Sequence, residues 1–492
     1  MLGATAWARR DLPSVLPLDD AYITLHSAHA LLSGGDASYG SPALSGITSA
    51  PHLLLVTLSQ MLAPGERSVI ALAWLGLAVY AAGLIALVRH AGASPLGRAL
   101  TVLCGLTAGM LLPYHAFNGL ETGWALAALT WTLALASAGN AGAPRSARDE
   151  APPPRARAVG VGLLLGTLPF LRPELGAFTV AWLALRFVAA RRDGAGAFRG
   201  FAPEGIAAAL TATAWLLWTW ISTGAPLPAS ALIKASFRAE QCQPWFARLG
   251  ATWSGLSESL PGAAVLGAAF LPFGGRRHSA ARLAGHSGLV AMAVFFVVAA
   301  AIFPFAPQMQ GGRYVVVFVP FGVLGFAVGM RAERVLVRRL AGGLLAFAVA
   351  YGLARLPEAF AAEREATAFT AGELADTARW LDDNLPAGSR LLVHDAGYVS
   401  EATPFALVDA VGLKTPASAE LHRRLTRRSC GERRGDALAA IAAQGRVTHL
   451  VELTAWEQRF GIARALAERG WAVHSLRQSR AGYSVYALAP PR

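Results

Sequence analysis

The chain has 492 residues, of which 54% are hydrophobic and only 15% charged, and its mean hydropathy is +0.43. Soluble globular proteins carry about 25% charged residues, so this chain lacks the side chains to cover a water-facing surface. The net charge of +13 does not indicate nucleic acid: Lys234 and Lys414 are the only lysines, and most arginines occupy short gaps between apolar runs rather than one basic face.

Charges are scarce up to about Leu356 and ordinary after it, which marks a boundary between a lipid-embedded part and a soluble part. In chain order, Leu18-Asp19-Asp20-Ala21-Tyr22 precedes an amphipathic run from Ile23 to Leu32. Apolar runs then follow near 68–88, 99–114, 119–137, 205–223, 284–304, 314–330 and 340–356, each read as a membrane span of up to about 20 residues. The run at 260–273 is short. The stretch 158–190 is long and is broken by Arg172-Pro173-Glu174, because proline in a helix interior removes a hydrogen bond and clashes with the preceding turn. It reads as a helical hairpin with a polar tip. Its first arm would rise about 21 Å.

Alternate gaps carry the arginines: Arg89 and Arg98; Arg145, Arg148, Arg155 and Arg157; Arg191, Arg192 and Arg199; Arg276, Arg277 and Arg282; Arg331, Arg334, Arg338 and Arg339. The gaps around 115–118, 224–259 and 305–312 are nearly free of clustered Arg. Basic gaps face the cytoplasm. Every gap fits one orientation if 158–190 counts as two arms and 260–273 as a span. The expected fold is therefore a polytopic α-helical membrane domain of about ten transmembrane helices over 68–356. An outer segment, 1–67, precedes it, and a small non-cytoplasmic α/β domain, 357–492, follows. Reporters fused after residues 146 and 196 should read as cytoplasmic, and those after 240 and 370 as external. A cytoplasmic signal at 370 would overturn the orientation. An outer N-terminal segment also leads us to expect a further apolar span encoded upstream of Met1.

Past 365 the pattern alternates. β-rich runs at Arg390–His394, Phe405–Val411, His449–Leu453, Trp471–Leu476 and Tyr483–Leu488 are separated by helical runs such as 371–384 and 436–444. The last two strands are expected to form a hairpin across Arg480-Ala481-Gly482. Cys104 lies in an apolar run and reads as a core residue. Cys242 and Cys430 have no metal-ligand spacing, and we read them as unpaired thiols in preference to a disulfide.

Five polar clusters fall on the outer face: Asp19-Asp20, Glu121 at the start of a span, Arg172 and Glu174 at the hairpin tip, Lys234 in the large outer loop, and Arg313-Tyr314. Ionisable groups at membrane depth are costly and commonly functional. Each also has a structural explanation. The Asp pair could cap a helix, Glu121 could complement a helix dipole, Arg172 and Glu174 could pair, and Lys234 and Arg313 could snorkel to headgroups. Together they suit one chemistry. A carboxylate, Asp20 or Asp19, can act as general base toward a hydroxyl. Lys234, Arg313, Tyr314, Arg172, Glu121 and Glu174 can hold a phosphate and its sugar and stabilise the charge of a departing phosphate.

The motifs Asp19-Asp20-Ala21-Tyr22-Ile23 and Gly46-Ile47-Thr48-Ser49 resemble the first outer loop of the C-type membrane glycosyltransferases, which use polyprenyl-phosphate sugars. Gly119-Leu120-Glu121-Thr122, Leu171-Arg172-Pro173-Glu174, Gly224 to Lys234 and Arg313-Tyr314 follow in the order shown by bacterial arabinosyl-, mannosyl- and aminoarabinose-transferase-like proteins. Asp395-Ala396-Gly397-Tyr398 and Val408-Asp409-Ala410-Val411-Gly412-Leu413 are similar to their outer domain. The Thr24-Leu25-His26-Ser27-Ala28-His29 segment departs from these relatives, which carry two aromatics and an Arg there. The resemblance implies a multi-pass enzyme of the bacterial plasma membrane. It would transfer a sugar from a polyprenyl phosphate to an envelope glycan or lipid acceptor, typically with inversion, and its catalytic acid residue would be Asp20 or Asp19. No cofactor is required by these residues, and a divalent metal is left open. A lipid-linked sugar transporter or flippase is the competing class, but no internal repeat is visible and the polar clusters share one face. A polysaccharide polymerase is the third reading.

Overall fold

In the computed structural model the described residues are 9–91, 94–108, 114–138, 154–192, 194–226, 228–259, 262–273 and 279–491. Residues 109–113 of one expected span, and Arg145, Arg148, Arg276 and Arg277 of the basic gaps, lie outside them.

A segment in hydrocarbon must satisfy its backbone polar groups internally, and the apolar runs accordingly become helices. In order these are α1 (Asp19–Ser33), α2 (Ala50–Leu62), α3 (Glu66–Ala91), α4 (Pro95–Thr107), α5 (Thr122–Ser137), α6 (Arg155–Leu171), α7 (Gly176–Arg192), α8 (Ala195–Thr223), α9 (Ser230–Arg238), α10 (Trp245–Ser259), α11 (Ser279–Ile302), α12 (Val319–Gly329) and α13 (Val335–Phe369). Among the described residues five stretches are long and apolar enough to cross a membrane: Glu66–Arg89, Pro173–Arg192, Gly196–Thr223, Arg282–Ile302 and Val335–Asn384. The chain is a multi-pass membrane protein. The expected hairpin is present: Arg172 is extended (φ −145°, ψ 115°), and a 3₁₀ turn over Pro173–Leu175 reverses the chain between α6 and α7. Proline steers the residue before it into that extended region.

The short run near 260–273 forms a 3₁₀ helix over Gly262–Phe273. At about 2.0 Å per residue it reaches further than an α-helix of equal length. It packs on α12, every residue of which is buried. Gly322 and Gly325 of α12 lie so close to the carbonyls of Ala264 and Gly267 that a Cβ at either position would collide with backbone. Small residues permit such backbone contact between membrane helices.

The C-terminal region holds a five-stranded sheet of order β2-β1-β3-β5-β4, with β1 (Arg390–Val393), β2 (Ala406–Asp409), β3 (His449–Leu453), β4 (Ala472–Arg477) and β5 (Tyr483–Ala489). β1 runs parallel to β2 and β3, and β4 and β5 form the expected antiparallel hairpin. Its helices include α14 (Ala375–Asn384), α15 (Tyr398–Ala402), α16 (Pro416–Leu421) and α17 (Arg434–Gly445). The N-terminal segment shares its core with this region: Tyr22, Ile23 and Leu53 belong to the same buried cluster as Leu392, Val408, Leu438 and Leu450. Cys104 is buried and free, as expected.

Cys242 and Cys430 correct our reading of them as unpaired. They form a disulfide, with Cα atoms 5.5 Å apart across a sequence separation of 188. No local spacing could indicate a pair that only the docking of the C-terminal region on the 224–259 loop brings together. Next to it, Arg434 at the start of α17 donates to the carbonyls of Phe237 (3.0 Å) and Arg238 (3.1 Å), which close the C-terminal end of α9. Removing the disulfide with Cys242→Ser and Cys430→Ser should cost about 2–4 kcal/mol, since a native cross-link over a long loop constrains the unfolded chain. Thermal unfolding with and without reductant measures the loss. Identical melting in both conditions would show that the bond contributes nothing.

Candidate functional site

The five polar clusters converge at one end of the helical bundle. Asp20 is in the first turn of α1, where the extended N-cap residue Leu18 turns the chain into the helix. Both aspartates are therefore helical. Consecutive helical residues still diverge by roughly a quarter turn or more, and the two carboxylates do part company.

Asp19 turns to the C-terminal region. It accepts backbone N–H groups from Gly397 (2.9 Å) and Tyr398 (2.6 Å), at the start of α15. Gly397 has no room for a side chain, because a Cβ there would strike the Asp19 carbonyl. Burial raises the Asp19 carboxyl well above its ordinary range, and the charge of Asp395 adds to that; the two amides oppose it.

Asp20 turns to the membrane helices. Its Oδ2 accepts from Gln310 (3.2 Å), Arg313 (3.3 Å) and Lys234 (3.4 Å). Burial would raise its carboxyl, yet the Lys234 and Arg313 charges outweigh that and hold it below the ordinary range. Its side chain is 24% exposed and that of Lys234 19%, so both open into a common pocket.

Behind this pair lies a closed layer. Arg313 Nη2 donates to Glu121 (3.1 Å), and Arg172 donates to the same Glu121 oxygen (2.6 Å) and to the Arg313 carbonyl (2.9 Å). The side chains of Arg172, Glu121 and Arg313 are 1%, 4% and 7% exposed. The Tyr314 ring lies beneath both guanidiniums, 4.9 Å from Arg172 and 5.7 Å from Arg313. Glu174 sits further back, 3.4 Å from Arg172 Nε, and does not line the pocket. Lys234 and Arg313 therefore point at carboxylates rather than outward to headgroups. Glu121 makes no side-chain cap on its own helix, α5.

The pocket is lined by Asp20, Glu121, Lys234, Arg313 and Tyr314, and on its other wall by Thr48, Ser49 and Ser230. Thr48 and Ser230 share a hydroxyl hydrogen bond of 2.9 Å. Gln310, held at φ 50° just before a Gly-Gly pair, escaped sequence reading, and Ser230 at the start of α9 fell within the Gly224 to Lys234 stretch without being singled out. The Gly311-Gly312 turn was the available signal, since glycines there free the backbone to aim neighbouring polar side chains inward. Both lysines of the chain serve the N-terminal segment: Lys234 pairs with Asp20, and the fully buried Lys414 pairs with Asp36 at 2.9 Å. Among the described residues no group of His, Cys, Asp and Glu is arranged to hold a metal.

Residues 361–486 match the family described as a domain of unknown function (DUF8728). No curated protein matches the chain. Among solved structures, ArnT from Cupriavidus metallidurans bound to undecaprenyl phosphate superimposes with a TM-score of 0.58 at 14% identity, over 99% of this chain and 97% of that one. The same protein in the apo state gives 0.55 at 15% identity, over 99% and 96%. The chain has the fold of the C-type membrane glycosyltransferases. The Archaeoglobus fulgidus oligosaccharyltransferase in its apo form is more distant, with a TM-score of 0.48 at 13% identity over 96% of this chain and 71% of that one. These structural neighbours are polyprenyl-phosphate-dependent membrane glycosyltransferases.

Proposed function

We propose that this chain is a membrane glycosyltransferase that moves a sugar from a polyprenyl phosphate to a cell-envelope glycan or lipid. The observation that carries the reading is Asp20: an ionised, partly open carboxylate flanked by Lys234 and Arg313, with hydroxyl-bearing Thr48, Ser49 and Ser230 across the pocket. Asp20 accepts the proton of the acceptor hydroxyl as its oxygen attacks the anomeric carbon. The bond from that carbon to the phosphate oxygen breaks, the electron pair leaves with the polyprenyl phosphate, and Lys234 and Arg313 stabilise the charge it carries away. Attack opposite the leaving group inverts the anomeric centre. Glu121, Arg172 and Glu174 fix the orientation of Arg313, and Tyr314 supports both guanidiniums from below.

The pocket holds about 40 Å³ of free volume, room for only a few waters. Lys234 and Asp20 pair at 3.4 Å within its lining. A donor phosphate competes for Lys234, so binding would open the pocket and release Asp20 for the acceptor. The reaction face is assigned to the non-cytoplasmic side of a bacterial plasma membrane. The Arg-rich gaps support that assignment, as does the Cys242–Cys430 disulfide, a bond that persists in oxidising compartments.

The test is purified protein with a polyprenyl-phosphate sugar, following release of the lipid phosphate, together with the mass change of envelope glycans and lipids on gene deletion. Absence of both would remove the reading. A change in chain length only, without loss of a single sugar, would favour a polymerase. The pH dependence is specific. With its carboxyl held below the ordinary value of about 3.9, Asp20 stays ionised on acidification until that lowered value is passed. Turnover should therefore be flat on the acid side through about pH 5 and fall only below it. The stability from its contacts has the same sign, present above the unfolded value and lost as pH falls through the folded one. A fall centred near neutrality would assign the base to another group.

A further inference from the structure

The antiparallel pair α3 and α4 carries a feature that the transfer site does not use. Glu66, at the start of α3, accepts the Tyr22 hydroxyl at 3.3 Å, so this end of the helix adjoins the site. The span Glu66–Arg89 is 24 residues long, about 36 Å at 1.5 Å per residue, so Arg89 lies at the opposite membrane face. The Tyr80 hydroxyl, donating to the Gly105 carbonyl at 3.1 Å, ties the two helices part-way along.

From that tie the helices present two matched stripes. On α3, Ile85 and Arg89 are four residues apart. On α4, Arg98, Val102 and Leu106 repeat the same spacing, which places each set on one helix face. α3 ends at Ala91 and α4 begins at Pro95, so both arginines stand at the same end and both apolar stripes run inward from it. Together with Leu103 these residues line an open cleft of about 630 Å³. Neither Arg89 nor Arg98 has a carboxylate partner among the described residues.

We propose that this cleft seats an anionic glycerophospholipid of the leaflet opposite the transfer site. Two unpaired guanidinium forks at the mouth match a phosphate headgroup, and the apolar stripes match acyl chains. The cleft opens sideways and lies a membrane's thickness from the donor pocket, so the surrounding bilayer supplies its occupant. The inference does not depend on the transferase reading.

The experiment is native mass spectrometry of the full-length protein released from vesicles of phosphatidylglycerol mixed with phosphatidylcholine. Wild type should retain phosphatidylglycerol in preference. Arg89→Gln combined with Arg98→Gln should lower its retention by roughly thirtyfold, the effect of two basic groups at an anionic surface. Arg338→Gln combined with Arg339→Gln removes as much exposed charge outside the cleft and should leave retention unchanged. Circular dichroism and melting confirm that each variant is folded, and the single variants substitute if the double does not fold. Equal losses in both double variants would reduce the effect to bulk charge and overturn the site. So would equal retention of phosphatidylcholine, or preferential retention of an added polyprenyl phosphate that Arg89→Gln abolishes.

Discussion

Asp20→Asn will lower turnover by roughly 10²–10⁴-fold, the usual cost of losing a positioned general base. Asn keeps the shape of the side chain and can still meet Arg313 and Lys234 through its carbonyl, so the loss falls on proton removal and less on packing. The neighbouring substitution separates the roles. Asp19→Asn keeps an acceptor for only one of the Gly397 and Tyr398 amides, which bond separate carboxylate oxygens, but touches no pocket group, so its effect should stay near tenfold or below and appear mainly as weaker docking of the C-terminal region. Lys234→Ala should weaken donor binding, raising KM more than it lowers kcat. Release of lipid phosphate from a polyprenyl-phosphate sugar is the measurement. Normal turnover in both Asn variants would make the acidic pair structural and remove the mechanism.

Arg172→Met will have the largest effect on stability. Arg172 is 1% exposed, and its loss leaves the nearly buried Glu121 with Arg313 as its remaining guanidinium partner. Breaking a buried pair by removing one partner typically costs about 3–5 kcal/mol, most of it the penalty of an uncompensated buried charge. The companion Glu121→Gln with Arg172→Met removes that charge as well, so the double variant should lose less than the two single losses added together. Melting in detergent, read beside a donor-binding assay, distinguishes a destabilised fold from a misplaced Arg313. An unchanged melting temperature for Arg172→Met would show that the layer behind the pocket contributes no net stability.

The helical framework was legible in the sequence because lipid leaves the backbone few options. The hairpin at Arg172-Pro173-Glu174 and the strands of the C-terminal region were legible for equally local reasons, proline geometry and β-rich runs between turn signals. What could not be read were the meetings between distant segments. Asp19 and Asp20 look equivalent in sequence, and only the Gly397 and Tyr398 amides show which of them faces the C-terminal region. The Cys242–Cys430 bond is the same kind of case. Gln310 was overlooked because an uncharged side chain in a loop gives no signal of charge or periodicity, although it reaches the Asp20 carboxylate.

One feature of the docking governs when the pocket comes into being. α1 leaves the ribosome long before the C-terminal region does, since the amides that anchor Asp19 belong to residues 378 and 379 positions later. At about 5–20 residues per second, that separation corresponds to roughly 20–75 s of synthesis. Throughout that interval Asp19 lacks those two amides, and the pocket lacks its lining residue Leu413. A chain that stops before residue 397 thus carries Asp20, Lys234 and Arg313 but lacks the two amides that fix Asp19.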